Sequence, residues 1–187
     1  LNQQSFQMKS AKVVLVGSSA VGKTSLLQRI ISDTFDPYQL ASTSIAHCRK
    51  MIDQTCLEFW DTAGQERYSA VAPTYYRSCD IALLVLGADS LDLIKTKYWL
   101  DQIKNNADDT VQIVLILNKI DLLNKSTDQK AIKLFSESQC VKFFQVSAKT
   151  GEGISELIGE VARTAGQIQR QSTEIIVETE EKKRKCC

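Results

Sequence analysis

Eight consecutive residues constrain this chain more than any others: Gly17-Ser18-Ser19-Ala20-Val21-Gly22-Lys23-Thr24. They fit the pattern of glycine, four residues, glycine, lysine, then serine or threonine. Before them Lys12 to Val16 reads KVVLV, an apolar run with the β-branched content of a buried strand, and after them Lys23 to Ile31 has the apolar spacing of a helix. Strand, glycine loop and helix, in that order, form the setting in which this pattern cradles phosphate. The glycines let backbone N–H groups turn inward and the helix start adds positive partial charge. Lys23 reaches the β and γ phosphates, and the Thr24 hydroxyl suits Mg²⁺. A chance match in a chain this long arises in roughly one sequence in two hundred. The phosphate-binding expectation for Gly17 through Thr24, together with Ser25, therefore outweighs an empty glycine turn.

Further strands are expected near Thr55 to Trp60, Ile81 to Leu86, Val111 to Leu117 and Val141 to Val146, with helical periodicity in Leu91 to Lys104, Thr127 to Glu137 and Ile154 to Ile168. Strands that alternate with helices pair in parallel. Runs such as VVLV and VQIVLIL, apolar without alternation, belong to strands covered on both faces. The expected fold class is α/β, a three-layer sandwich around a mostly parallel sheet, with ligands held beyond the carboxyl ends of the strands. A length of 187 residues suits one core. The expected organisation is an extension over residues 1–10, one domain over 11–169 and a polar, flexible tail over 170–187.

Composition removes several function classes. A hydrophobic share of 43% beside 24% charged residues is too apolar for a disordered chain. Lys plus Arg (23) against Asp plus Glu (22) gives a net charge of +1, so no overall field draws a nucleic acid polymer. No apolar run approaches the roughly 20 residues of a membrane span, and the opening residues carry no apolar core of a secretory leader. Cys48, Cys56, Cys79 and Cys140 are scattered without paired spacing, and His47 is the sole histidine. They read as buried, reduced thiols of a cytoplasmic protein rather than disulfide or zinc ligands. Cys186 and Cys187 end the chain and need another explanation.

A phosphate loop leaves ATP and GTP open, and three further strand ends decide between them. Asp61-Thr62-Ala63-Gly64-Gln65 follows one strand, where Asp61 can hold a Mg²⁺-bound water and the Gly64 N–H can meet the γ-phosphate. Asn118-Lys119-Ile120-Asp121 and Ser147-Ala148-Lys149 follow two others. An aspartate at position 121 accepts from the N1–H and exocyclic amine of guanine, whereas the unprotonated N1 of adenine would leave it unpaired. The Lys119 stem can cover the base, Asn118 can tie this loop to the phosphate loop, and the Ala148 N–H can donate to guanine O6. Taken alone Asn118 to Asp121 is an ordinary polar turn; as one of four motifs in order it reads guanine.

With these residues in place the chain resembles the small GTPases of the Ras superfamily, and within them the Rab family, over about residues 11–165. The resemblance rests also on the run from Trp60 to Tyr68 (WDTAGQERY), on Tyr75-Tyr76-Arg77-Ser78, on Tyr98-Trp99-Leu100 and on the two terminal cysteines. It implies the small-GTPase type of P-loop NTPase fold, with one antiparallel edge strand, and a GDP/GTP switch that regulates vesicle and membrane traffic. It implies that Gln65 is the catalytic residue that orients the attacking water, and that Mg²⁺ is the cofactor. Phe35 is then the ring against guanine, beside Asn118, Lys119, Asp121, Ser147, Ala148 and Lys149. Intrinsic turnover in such proteins is on the order of 10⁻⁴ s⁻¹. Partners implied are an exchange factor, a GTPase-activating protein, a GDP-dissociation inhibitor, a prenylation escort protein and trafficking effectors.

The first switch, Asp36 to His47, departs from the family, and the second is expected over Ala63 to Arg77. In Ala41-Ser42-Thr43-Ser44-Ile45-Ala46-His47 the usual offset from Lys23 makes Ser42 the Mg²⁺ ligand, while a one-residue insertion makes it Thr43. Thr43 is the favoured ligand, with Thr24 and, through water, Asp61. The stretch from Thr43 to Trp60 is shortened, and a phenylalanine of the family's aromatic cluster is replaced by His47 or Cys48. Ser19, bulkier than the glycine of many relatives, is expected to slow hydrolysis modestly. These departures motivate an alternative, a nucleotide-binding scaffold with negligible hydrolysis, against which Gln65 speaks. A P-loop ATPase or nucleotide kinase runs against Asp121.

Gln171 to Cys187 is 17 residues, enough to reach roughly 55 Å when extended. Cys186 and Cys187 resemble the doubly geranylgeranylated end of Rabs; two lipids give stable membrane attachment where one is marginal. Lys182-Lys183-Arg184-Lys185 aids such an anchor, and Glu178, Glu180 and Glu181 weaken the aid. The expected location is peripheral, on the cytosolic face of endomembranes.

Overall fold

The computed structural model describes residues 10–39, 46–61, 75–123 and 129–168. Among the described residues six strands form one sheet: β1 (Ser10–Val16), β2 (Ala46–Ile52), β3 (Thr55–Asp61), β4 (Ile81–Gly87), β5 (Gln112–Asn118) and β6 (Lys142–Gln145), in the order β2-β3-β1-β4-β5-β6. All neighbours are parallel except β2 and β3, a hairpin whose seven-residue strands pair from Ala46↔Asp61 to Ile52↔Thr55. This is the α/β small-GTPase P-loop fold, with its antiparallel strand at one edge.

The unbroken apolar runs follow from the two-residue period of a strand covered on both sides. Val13, Leu15, Ile81, Leu83, Val85, Val114 and Ile116 face one core, completed by helix α1 (Lys23–Ser32) and helix α4 (154–168). Val14, Val16, Ala82, Leu84, Leu115 and Leu117 face the other, completed by helix α2 (Leu93–Asn106) and helix α3 (Gln129–Ser138). α2 begins two residues later than its apolar periodicity suggests, because the Asp92 carboxylate accepts from the N–H groups of Ile94 and Lys95 at 2.9 and 3.0 Å and caps it. β1 lies between β3 and β4, so the connections diverge at its carboxyl end and open a crevice there.

The four cysteines within the described residues are unpaired by disulfides, but only Cys79 is buried; Cys48 and Cys56 are half-buried and Cys140 is exposed. The expectation of four buried thiols is corrected accordingly. Cys140 has φ 54°, at the turn after α3, where a core position is not on offer. Burial pushes the Cys79 thiol up to about 12.

Candidate functional site

The loop after β1 is shaped by two glycines that no other residue could replace. Gly17 has φ 142°, and a Cβ there would sit 2.2 Å from the Val85 carbonyl oxygen of β4. Gly22 has φ 89°, and a Cβ would sit 2.5 Å from Asn118 Nδ2. Between them Ala20 adopts φ 64° without a glycine's freedom. The buried Lys23 opens α1, and its ammonium donates to the carbonyls of Gly17 (2.9 Å) and Ser18 (2.8 Å), which fixes the charge on the floor of the loop. Thr24 Oγ1 donates to Oδ2 of the fully buried Asp61 at 2.6 Å, joining the helix start to the end of β3.

The second end of the site comes from the ends of β5 and β6. Asn118 Nδ2 donates to the Val21 carbonyl (3.0 Å) and, more weakly, to that of Gly22 (3.4 Å), while its Oδ1 accepts from the Ala148 N–H at 3.1 Å. One buried amide thus joins the phosphate loop to the loop after β6. Lys119, at φ 63°, reaches Asp89 Oδ2 at 2.7 Å, which lays its stem along the cleft. Asp121 Oδ1 accepts from Ser147 Oγ at 2.6 Å, and Lys149 Nζ lies 4.0 Å from Oδ2. Ser147 Oγ also accepts from the Thr150 N–H at 3.1 Å, so the hydroxyl is oriented from both sides.

Between the two ends lies a cleft of about 420 Å³, lined by Ser19, Ala20, Gly22, Lys23, Thr24, Ser25, Phe35, Asn118, Lys119, Asp121, Ala148 and Lys149 among others. The volume and the split between an ammonium-and-hydroxyl end and a carboxylate end suit a nucleotide. Gly17, Ser18, Val21 and Ser147 do not line it; they shape it from beneath. Gly64, Gln65, Ser42, Thr43, Cys186 and Cys187, expected above to act in catalysis, metal binding and lipid attachment, lie outside the described residues.

The sequence profile of the Ras family matches residues 12–167. The chain belongs to the Ras family, on its Rab branch. It is similar to the GTP-binding protein ypt5 of Schizosaccharomyces pombe, at 36% identity over 81% of this chain and 76% of that one. It is similar also to two GTP-binding proteins of Saccharomyces cerevisiae: YPT52, at 35% over 82% of this chain and 81% of that one, and YPT53, at 34% over 87% and 80%. A Rab-type GTPase hydrolyses GTP and switches vesicle traffic, and this chain is one.

In this Rab-type chain His47, not Cys48, stands against Trp60. His47 pairs with Trp60 in the β2–β3 register with ring centroids 4.6 Å apart, whereas Cys48 pairs with Phe59 and packs on the α1 core. Three contributors were not expected at the site from the sequence. Leu122 lines the cleft; Trp99 Nε1 donates to Ser18 Oγ at 3.0 Å and braces the phosphate loop against α2; and Arg29 donates to the carbonyls of Ala148 and Lys149. The last two act on partners 81 and about 120 positions away, which no local spacing marks.

Proposed function

We propose that the cleft holds GDP or GTP with its phosphates against residues 17–25 and its base between Phe35, Lys119, Asp121 and residues 147–149, within a nucleotide-binding domain over 11–169. The observation that carries the reading is the Asn118 amide, which bonds to Val21 on the phosphate side and Ala148 on the base side and so sets the two ends at one nucleotide's distance. Asp121, oriented by Ser147, accepts from the guanine N1–H and amine. The Ala148 N–H, which bonds to Asn118 Oδ1 at 3.1 Å beside the cleft, is shared with O6 when the base binds. Lys23 presents a fixed charge to the β and γ phosphates, so little reorganisation is needed as charge moves there.

Thr24 and Asp61 fit Mg²⁺: a hydroxyl and a carboxylate, both hard oxygen donors, already lie 2.6 Å apart. They would hold the ion with Thr43, Asp61 acting through a water. When bound, the ion neutralises charge on the β and γ phosphates. Gln65, with Gly64 beside it, orients the water for in-line attack on the γ-phosphorus, and Ser19 at the rim slows the step modestly.

Residues 36–47 and 63–77 then sense the γ-phosphate, and exchange factors, GTPase-activating proteins and trafficking effectors read them. Geranylgeranyl groups on Cys186 and Cys187, at the end of the 170–187 tail, attach the protein to the cytosolic face of endomembranes, with an escort protein and a GDP-dissociation inhibitor handling the lipidated form. Among the described residues no helix is long and apolar enough to cross a membrane, so the lipids carry attachment in this reading. Single-turnover hydrolysis of preloaded GTP, compared with Gln65→Leu, tests the switch. A slow rate that falls at least about tenfold in the variant is expected; equal, negligible rates would replace the timed switch with a nucleotide-binding scaffold.

A further inference from the structure

Helix α1 carries Lys23 at its first position and Arg29 at its seventh, about 9 Å further along. The Arg29 side chain is only 14% exposed. Its guanidinium makes four bonds: Nε to the Ala148 carbonyl (2.8 Å), one terminal nitrogen to the Lys149 carbonyl (2.9 Å), and the other to the backbone carbonyl (2.8 Å) and Oδ1 (3.0 Å) of Asp33. A planar fork with fixed donors is needed to reach two consecutive carbonyls and the helix end together.

We propose that Arg29 is a positioning residue for the guanine end of the cleft, clamping the 147–149 loop onto the helix that carries the phosphate-binding lysine. The inference rests on the base-site reading above. Ala148 is held from both sides: Asn118 Oδ1 takes its N–H and Arg29 takes its carbonyl. Release of the carbonyl lets the Ala148 and Lys149 peptides rotate, and both residues line the cleft. The same loop contains Ser147, which orients the Asp121 carboxylate, so one guanidinium stands behind two of the contacts that read the base. A lysine has a single charged centre and holds at most one of the two carbonyls well.

The test measures dissociation of fluorescent GDP from the full chain with Mg²⁺, and amide hydrogen exchange of the GDP-bound protein. Arg29→Ala is expected to speed GDP release about tenfold or more, the scale of one lost charged hydrogen bond carried through to the base. Arg29→Lys falls in between, and Asp33→Gly, which removes the exposed Oδ1 partner while suiting the φ of 54° at the helix end, stays within about twofold. In Arg29→Ala, exchange rises over residues 147–150 and not through α1. Release within twofold of the parent, or faster exchange spread along α1, overturns the clamp and makes Arg29 a helix-end contact only. Asp121→Asn is run alongside. If it fails to move preference from guanine to xanthine diphosphate, the base-site reading itself falls, and the clamp with it.

Discussion

At its phosphate end the cleft is one unbroken run of chain, residues 17–24, bent by Gly17 and Gly22. At its base end it is assembled from two loops that meet through Ser147 bonding to Asp121 across 26 positions and Arg29 bonding to Lys149 across 120. The first end depends on backbone conformation, the second on side chains that must find distant partners. A lesion at the first therefore strikes the fold as well as the ligand, because the loop lies directly on β4. A lesion at the second loosens the ligand and spares the sheet.

The largest effect expected from this contrast is at Gly17. A Cβ 2.2 Å from the Val85 carbonyl at φ 142° has nowhere to go, so Gly17→Ala should cost about 3 kcal/mol or more of stability and abolish nucleotide retention. Thermal unfolding of both proteins without nucleotide measures the first effect, and GDP retained through gel filtration the second. Asn118→Ala removes the one amide that joins both ends and leaves the buried Val21 carbonyl and Ala148 N–H unmatched. GDP affinity should drop about a hundredfold, from a loss of about 2–3 kcal/mol, as read by equilibrium competition. Ser147→Ala deletes the donor to Asp121 and the acceptor for Thr150; GDP affinity should fall about tenfold while the unfolding midpoint without excess nucleotide moves little.

The smallest effect lies outside the cleft. Glu160 on α4 bonds to Arg163 at 2.9 and 2.6 Å and to Lys142 of β6, and the Arg163 bond chiefly holds its carboxyl down to about 2 from the usual 4.5. A carboxylate with a lowered native pKa adds stability that is complete above pH 4.5 and is lost as the pH falls toward 2. Both basic partners are about half exposed, so Glu160→Gln should cost only about 0.5–1 kcal/mol near neutral pH. It should remove that part of the acid sensitivity and leave GDP affinity unchanged, checked by unfolding at a series of pH values.

The same contrast explains what the sequence made legible. The phosphate loop is contiguous, so residue types and spacing alone placed it between β1 and α1, and the non-alternating runs placed the strands of a two-sided sheet. Asn118, Asp121 and Ser147 were readable as polar residues at strand ends, ordinary one by one and pointing to guanine only as parts of four motifs in order. What was not readable is what holds them. Arg29 is an ordinary polar position on an amphipathic helix until the 147–150 loop folds against it, and Trp99 shows a helix aromatic but not its bond to Ser18. His47 and Cys48 were indistinguishable until the β2–β3 register put one beside Trp60 and the other in the core. The helix starts shifted where a cap, Asp92, outweighed apolar spacing.

Base selectivity at the Asp121 carboxylate is the claim on which the rest depends. Equilibrium competition of GDP, inosine diphosphate and ADP for the purified protein with Mg²⁺ tests it most directly. Inosine diphosphate keeps N1–H and O6 but lacks the amine, so it should bind more weakly than GDP by about ten- to a hundredfold, and ADP by about 10⁴-fold or more. ADP binding within tenfold of GDP would contradict the account, because the unprotonated N1 of adenine is an acceptor and leaves the Asp121 carboxylate beside the base with no proton to accept.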